Sequence, residues 1–236
     1  NLGVEGVSSK SNLSYVNRHR DPEIFKELFF MLLKHCKTIA PKHEFSFKRK
    51  LYSLDATLIE LCVRAFPWAT YRQTKGAIKL NMLVDHDGYL PVFLDFTHGD
   101  VHEAACARSL DLPRDSMVVC DRGYVDYAML YNWNLRGIDF FTRLKNNATY
   151  TTPEYDLKQY SDNVLSDEVI YLRGSCEKYP KRLRTVVVCD VVNHRTLVLL
   201  TNNFDLDAQT IGDIYKFRWQ IECLFNWNEV EENEVA

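Results

Sequence analysis

Two acidic residues, Asp55 and Asp121, lie at the ends of apolar runs, where a charge is unusual. Asp55 belongs to the segment 51–57, Leu-Tyr-Ser-Leu-Asp-Ala-Thr, and Asp121 to the segment 117–123, Met-Val-Val-Cys-Asp-Arg-Gly. Both segments are typical of β-strands, and an ionised carboxylate in a core requires a cation or hydrogen-bond donors. A salt bridge or a turn cap would satisfy either residue alone. Two strands that each end in a carboxylate can also hold a divalent metal ion between them.

A third candidate group lies near the end of the chain, in a predicted helix over residues 207–227. Tyr215, Arg218 and Glu222 recur there at i, i+3 and i+7. At about 100° per residue this spacing keeps them within roughly 60° of one another on one helix face. The stripe borders an apolar one, so it is a candidate wall of an active site. The alternative is a surface Arg and Glu pair that contributes about 0.3 kcal/mol.

The elements that must position these groups form a mixed α/β pattern. A meander of three strands is followed by strands joined through helices, and such crossover connections are right-handed. Asp55 and Asp121 fall at comparable strand positions, so adjacent strands would bring their carboxylates together. The predicted strands are 51–57, 77–84, 89–96, 117–121, 138–143, 167–172, 183–192 and 196–201, and the predicted helices are 22–38, 100–109, 124–134 and 207–227.

Local signals define the ends of several elements. Asp21 and Pro22 predict the start of the first helix, as N-cap and first helical residue. The turn 85–88, Asp-His-Asp-Gly, predicts a hairpin, in which both aspartates are turn residues. Asp100 with Glu103 has capping-box spacing and predicts the start of the second helix. His98 and His102 flank that cap without a third ligand nearby, so we do not expect a metal site there.

Composition bounds the class of protein. The 236 residues are 46% hydrophobic and 26% charged, with a net charge of −3, which is typical of a soluble globular protein. No apolar run approaches the roughly 20 residues of a membrane span. Seven scattered cysteines without a C-x-x-C pair indicate reduced thiols in a cytoplasmic protein. Charge is uneven, with a basic stretch over 42–79 and an acidic tail over 229–236, and the basic stretch is compatible with phosphate binding.

Taken together, these segments resemble the DDE transposases of bacterial insertion sequences, in the group marked by Tyr-x-x-Arg-x-x-x-Glu on the final catalytic helix. The resemblance covers roughly residues 9–226, and several ordered motifs carry it. The matching segments are Tyr-Ser-Leu-Asp-Ala-Thr at 52–57, Thr-Lys-Gly-Ala-Ile-Lys-Leu at 74–80, Val-Cys-Asp-Arg-Gly-Tyr at 119–124, Leu-Thr-Asn-Asn-Phe at 200–204 and Tyr-Lys-Phe-Arg-Trp-Gln-Ile-Glu at 215–222.

The resemblance implies an α/β fold, a ribonuclease-H-like mixed sheet with flanking helices and an inserted β-rich subdomain. The implied organisation is an N-terminal helical segment (1–41), the first part of the catalytic core (42–145), the β-rich insertion (146–204), the final catalytic helix (205–228) and an acidic tail (229–236). It also implies that Asp55, Asp121 and Glu222 are catalytic and bind two Mg²⁺ ions, for which Mn²⁺ can substitute. Such a metal pair can serve both DNA strand cleavage and transfer of the 3′ end.

The implied partner is double-stranded DNA, as transposon ends and target, bound by a homodimer without membrane association, in the bacterial cytoplasm at the nucleoid. By similarity, Tyr215 and Arg218 contact a phosphate near the scissile bond. Further candidates for DNA backbone contacts, chosen from their charge and position, are Lys75, Lys79, Lys181 and Arg182.

Two departures from the family pattern bear on activity. Family members carry Lys four and seven residues after the Glu, where this chain has Asn226 and Glu229. The chain also starts without Met, and we expect it to be truncated at both ends, with a folded core and impaired transposition. Two alternatives remain open: a metal-dependent nuclease of the same fold, and a DNA-binding remnant without catalysis.

Overall fold

A computed structural model describes residues 9–45, 47–61, 70–72, 75–154, 163–190, 195–223 and 225. The chain divides into two compact units, Asn1–Pro41 and Lys42–Ala236. The first unit contains helices α1 (Lys10–His19) and α2 (Pro22–Ile39). The predicted start of α2 is confirmed, because the carboxylate of Asp21 accepts a hydrogen bond from the backbone N–H of Glu23 at 3.0 Å. None of the described helices is long and apolar enough to cross a membrane.

In its described residues, the second unit is built on a ten-stranded mixed sheet. Its order is β2-β3-β1-β5-β6-β10-β9-β8-β7, with β4 also paired to β3. The neighbours β1, β5 and β6 are parallel, and the other pairs are antiparallel. The predicted mixed α/β fold class is therefore confirmed. The strands are β1 (Leu51–Leu61), β2 (Thr70–Arg72), β3 (Lys75–Asp85), β4 (Leu90–His98), β5 (Met117–Cys120), β6 (Asp139–Arg143), β7 (Tyr150–Glu154), β8 (Val164–Leu172), β9 (Leu183–Asp190) and β10 (Arg195–Thr201).

The β-rich block between residues 146 and 204 extends this sheet. Its last strand, β10, pairs antiparallel with β6, so that Thr201 lies opposite Phe141 and Leu199 opposite Arg143. From β10 the sheet continues outward through β9 and β8 to β7. The block is thus joined to the central parallel strands by backbone hydrogen bonds.

Both faces of the central strands are covered by helices, as parallel strands require. Because side chains alternate along a strand, Val118 and Phe140 pack on the side of α4 (Tyr127–Leu135), whereas Val119 and Phe141 pack on the side of α5 (Ala208–Phe217). All four side chains are fully buried. The site at Asp55 in β1 and at the end of β5 therefore lies next to a packed core.

Two predicted helix starts need correction. The helix predicted from Asp100 is α3 (Glu103–Arg108), and its N-cap is His102, whose Nδ1 accepts from the N–H of Ala104 at 3.2 Å. The imidazole nitrogen of His102 thus accepts a hydrogen bond from the first turn of the helix, a role that the capping-box spacing predicts for Asp100. The helix predicted over 124–134 begins later, as α4, because the carboxylate of Asp126 accepts from two N–H groups of its first turn. A short 3₁₀ helix occupies 122–124.

The predicted hairpin between β3 and β4 is confirmed, with its turn fixed by the aspartates. Gly88 and Tyr89 have positive φ values of 75° and 52°, which suits the glycine of the Asp-Gly pair. Asp85 accepts from the N–H of Asp87 at 2.9 Å, and both carboxylates bind the ammonium group of Lys50, at 2.9 Å and 2.5 Å. The turn is thereby anchored to the residue that precedes β1.

His86, in the same turn, predicts a pH dependence of stability. Its ring is 1% exposed, with Nε2 2.7 Å from Oγ of Ser53, and burial lowers its pKa from 6.5 to about 4. Between these values the unfolded state binds the proton and the folded state does not, so stability is lost as the pH falls. The interval corresponds to about 3 kcal/mol of unfolding free energy. We expect wild-type protein to lose about that much between pH 6.5 and pH 4 relative to His86→Gln. Urea denaturation at several pH values measures the free energy of unfolding of both proteins. If it changes by the same amount in wild type and His86→Gln between pH 6.5 and pH 4, the assignment is wrong.

Candidate active site

The first two acidic residues of the predicted site are neighbours in the sheet. β1 and β5 run parallel, with Leu54 opposite Cys120. Asp55 and Asp121 each directly follow this last pair, so both carboxylates lie where the parallel pairing ends, although β1 itself continues to Leu61. The residues before them, Leu54 and Cys120, are fully buried. The structure thus brings together the two carboxylates whose proximity the sequence predicts.

Arg218 connects the third acidic residue to this edge. Its Nη1 donates to Oδ2 of Asp55 at 2.5 Å, and its Nη2 donates to Oε1 of Glu222. The arginine is 9% exposed, and its Nε is buried without a hydrogen-bond partner among the described residues. One guanidinium group therefore lies between two carboxylates that are 167 positions apart in sequence.

The helix that carries Arg218 and Glu222 is not regular α-helix at Arg218, as the sequence predicts, but contains a 3₁₀-type turn there. α5 ends at Phe217, and residues 219–223 are again helical. Around the junction the N–H of Arg218 bonds to the carbonyl of Tyr215, and the N–H of Ile221 to that of Arg218. These i to i+3 bonds are 3₁₀-type and shift the helix phase. The prediction of one regular helix over 207–227 is therefore wrong at this turn, and residues 226 and 227 lie outside the described part.

Tyr215, Arg218 and Glu222 do share one face, as their spacing predicts. The guanidinium carbon of Arg218 lies 5.6 Å from the centre of the Tyr215 ring. The Tyr215 hydroxyl donates to Oδ1 of Asp121 over a long 3.4 Å. The alternative of a solvent-exposed Arg and Glu pair is wrong, because Arg218 is buried and also reaches Asp55.

Arg143 belongs to this site and was not selected from the sequence. It ends β6, the strand next to β5, and its Nη2 donates to Oδ1 of Asp121 at 2.7 Å. Burial acts to raise the pKa of Asp121, but the N–H of Arg122 and the guanidinium of Arg143 outweigh it and lower that pKa. Asp121 is therefore held as a carboxylate. The edge argument that paired the two aspartates would also have identified Arg143.

Asp55 is in a different electrostatic state. Burial raises its pKa to about 6, even though Arg218 and the N–H of Ala56 act in the opposite direction, and the nearby Glu222 and Asp121 raise it further. Three carboxylates at one edge repel one another, and Arg218 partly neutralises them. Among the described residues, Arg218 binds two of the three acids and Arg143 binds the third, so the acids outnumber the cations that pair with them.

The donor set suits a hard divalent cation, although Arg218 lies among its members. Carboxylate oxygens are the ligands that Mg²⁺ and Mn²⁺ take in proteins. In the part of the chain that the structure describes, no three His, Cys, Asp or Glu side chains converge on one metal position. The residues therefore fit the implied ions by donor type, and Arg218 must leave Asp55 or Glu222 before all three acids can share them.

The other predicted DNA contacts do not join this cluster. The side chain of Lys79 is largely buried, and its ammonium group donates to the carbonyl of Val101 at 2.8 Å. This hydrogen bond connects β3 to the segment before α3. Arg182 lies over the ring of Phe204 at 4.5 Å, and Lys181 is exposed beside it. The side chain of Lys75 lies outside the described residues, as do Asn226 and Glu229. DNA contacts by the lysines and Arg182 remain predictions.

Comparison of the sequence with known proteins finds transposases. The sequence model of the family described as "Transposase DDE domain" matches residues 46–229. The chain is 26% identical over 207 residues to the probable transposase for insertion sequence element IS5377 of Geobacillus stearothermophilus, covering 87% of this chain and 54% of that protein. It is 26% identical over 220 residues to y4zB of Sinorhizobium fredii (strain NBRC 101917 / NGR234), named as a transposase, covering 91% of this chain and 60% of that protein.

A solved structure shows the same fold. The piggyBac transposase, determined as a synaptic complex with hairpin DNA, superposes with a TM-score of 0.53 at 13% identity and covers 95% of this chain and 51% of that one. This likeness supports the ribonuclease-H-like arrangement of sheet and helices. The chain spans little more than half the length of the relatives it matches. Because the family model covers most of the chain, this protein belongs to the transposase DDE-domain family.

Proposed function

We propose that this chain is the catalytic core of a DNA transposase that cleaves DNA strands and joins their 3′ ends to target DNA. One observation carries the proposal above the others. Carboxylates from β1, from the end of β5 and from the final helix lie together, two of them bound to Arg218 and the third to Arg143. Such a set of oxygen ligands serves phosphodiester chemistry that depends on two divalent ions.

Each residue of the cluster has a distinct role in this proposal. Asp55, Asp121 and Glu222 would hold two Mg²⁺ ions, which would supply activation of the attacking oxygen and stabilisation of the leaving oxygen. Arg143 keeps Asp121 ionised and oriented toward the site. Arg218 exchanges its carboxylate partners for a DNA phosphate, which its planar fork of donors also suits. The ring of Tyr215 supports the guanidinium from one side.

The substrate of the proposed reaction is double-stranded DNA, as element ends and as target, bound by two copies of the chain. The attacking group is water during cleavage and a DNA 3′-hydroxyl during joining. The same three acids would serve both steps, because the divalent ions they would hold would supply activation of the attacking oxygen and stabilisation of the leaving oxygen in each. A nuclease of this fold would catalyse only the first step.

A strand-transfer assay separates these functions. The substrates are an intact duplex and a pre-cut duplex that carry the DNA flanking this coding sequence, each incubated with a target plasmid and Mg²⁺ or Mn²⁺. A transposase gives joined products from the pre-cut duplex. Cleavage of the intact duplex without joining would identify a nuclease, and binding without either product would identify a non-catalytic remnant.

A further inference from the structure

A second site of interest is a polar cleft on the side of the sheet covered by α3 and α4. It has a volume of about 490 Å³, within the usual range for ligand sites. We call it the basic cleft, and the residues that matter for its chemistry are Arg108, Asp126, Tyr127, Lys145, Thr149 and Lys178. Most ligand pockets are lined mainly by apolar groups, whereas charged, amide and hydroxyl side chains outnumber the apolar ones in this cleft. Its occupant must therefore be polar.

The charge of the basic cleft favours an anion. Its one carboxylate, Asp126, already accepts from Arg108 at 3.0 Å and from the first N–H groups of α4. Lys145 and Lys178 form no ion pair within the described residues. The hydroxyl of Tyr127 is buried and has no hydrogen-bond partner in that part of the chain. Two ammonium groups and one hydroxyl are thus available to an anionic ligand.

The walls of the basic cleft are fixed by hydrogen bonds. The hydroxyl of Thr149 accepts from the N–H of Gly174 at 3.0 Å, and its carbonyl accepts from the N–H of Arg173 at 2.8 Å. A Cβ atom at residue 174 would lie 2.8 Å from the Thr149 hydroxyl, so glycine allows this close approach. The segment that carries Lys145 and the loop that carries Lys178 are therefore held together before any ligand binds.

Two short connections link the basic cleft to the acidic cluster. Asp121 is followed by the 3₁₀ helix 122–124 and then by Asp126 and Tyr127. Arg143, which binds Asp121, is two residues before Lys145. The connections are tied to each other, since Arg122 donates to Oδ1 of Asn146 at 2.6 Å. The residues that bind Asp121 and the residues that line the basic cleft are therefore joined by two short, mutually bonded stretches of chain.

We propose that the basic cleft binds the sugar-phosphate backbone of a DNA strand next to the segment held at the acidic cluster. Lys145 and Lys178 neutralise successive phosphates, and the Tyr127 hydroxyl donates to a phosphate oxygen. This assignment rests on the proposed function, because it takes DNA as the ligand. It differs from the contacts predicted at Lys79, Lys181 and Arg182, none of which lines the cleft.

The salt dependence of DNA binding tests this assignment. We compare wild type with the double variant Lys145→Gln/Lys178→Gln, using a fluorescent 30-base-pair duplex in EDTA so that binding is measured without cleavage. Each lost phosphate contact should reduce the slope of log K against log salt by about 0.9. The double variant should therefore bind more weakly at low salt, with a slope less steep by about 1.8. Tyr127→Phe should weaken binding without changing the slope.

Matched controls make the outcomes separable. Lys34→Gln/Lys37→Gln removes two exposed lysines of α2, in the first compact unit, and its slope should equal that of wild type. An unchanged slope for the double variant, or no duplex binding by wild type at low salt, would overturn the assignment. If wild type gives no strand-transfer products but the double variant has the reduced slope, the proposed function is wrong and the assignment of the basic cleft to DNA binding is retained.

Discussion

Asp121→Asn should reduce metal-dependent strand cleavage by about 10³-fold or more, because several kcal/mol of transition-state stabilisation are lost with a metal ligand. Asp121 lies at the end of β5 and its pKa is lowered, with Arg143 among the causes, so the native residue is a carboxylate. An amide of the same shape keeps the packing but removes the charge. Initial cleavage rates at saturating Mg²⁺ measure the effect.

The control for this prediction is an acidic residue far from the cluster. The side chain of Asp111 is 98% exposed and pairs only with Arg136 among the described residues. Asp111→Asn should leave the cleavage rate unchanged. A rate for Asp121→Asn within tenfold of wild type, from protein with unchanged circular dichroism, would remove Asp121 from the catalytic machinery.

Arg218→Ala should lower the free energy of unfolding in metal-free buffer by about 3 kcal/mol, because it leaves two partly buried carboxylates without their cation. Divalent ions should then bind more readily, since they no longer compete with the guanidinium. Added Mg²⁺ should therefore raise the stability of the variant more than that of wild type. Urea denaturation with EDTA and with Mg²⁺ measures both effects.

An exposed ion pair provides the comparison for Arg218. Arg195 donates to Asp190 at 2.9 Å, but its side chain is 51% exposed. Arg195→Ala should change the free energy of unfolding by no more than about 0.5 kcal/mol, with no dependence on Mg²⁺. If Arg218→Ala behaves like this control, the guanidinium does not compensate the acidic cluster.

The apolar runs alone predicted that Asp55 and Asp121 are neighbours, whereas Glu222 was added to them by the family resemblance. The apolar runs before Asp55 and Asp121 identify two strands, and their similar positions predict neighbouring carboxylates. The hydrophobic pattern works here because the central strands are buried on both faces and therefore contain continuous apolar runs, in which a charge is conspicuous. Helical spacing likewise placed Tyr215, Arg218 and Glu222 on one face.

Features that depend on tertiary partners could not be predicted from local sequence. The 3₁₀ turn at Arg218 accompanies its ion pairs with Asp55 and Glu222, which helical periodicity does not contain. The N-cap of α3 shifted from Asp100 to His102, because an imidazole nitrogen can accept the bond that the capping box assigns to a carboxylate. Lys79 was predicted as a DNA contact from its charge, whereas its ammonium group binds a backbone carbonyl.

The most direct test of the central claim is anomalous scattering from crystals of the protein soaked in Mn²⁺. The account predicts manganese peaks between Asp55 and Asp121, with Glu222 turned toward the metal and Arg218 released from at least one carboxylate. A fully soaked crystal with no peak at this edge, and with Arg218 still bridging Asp55 and Glu222, would contradict it.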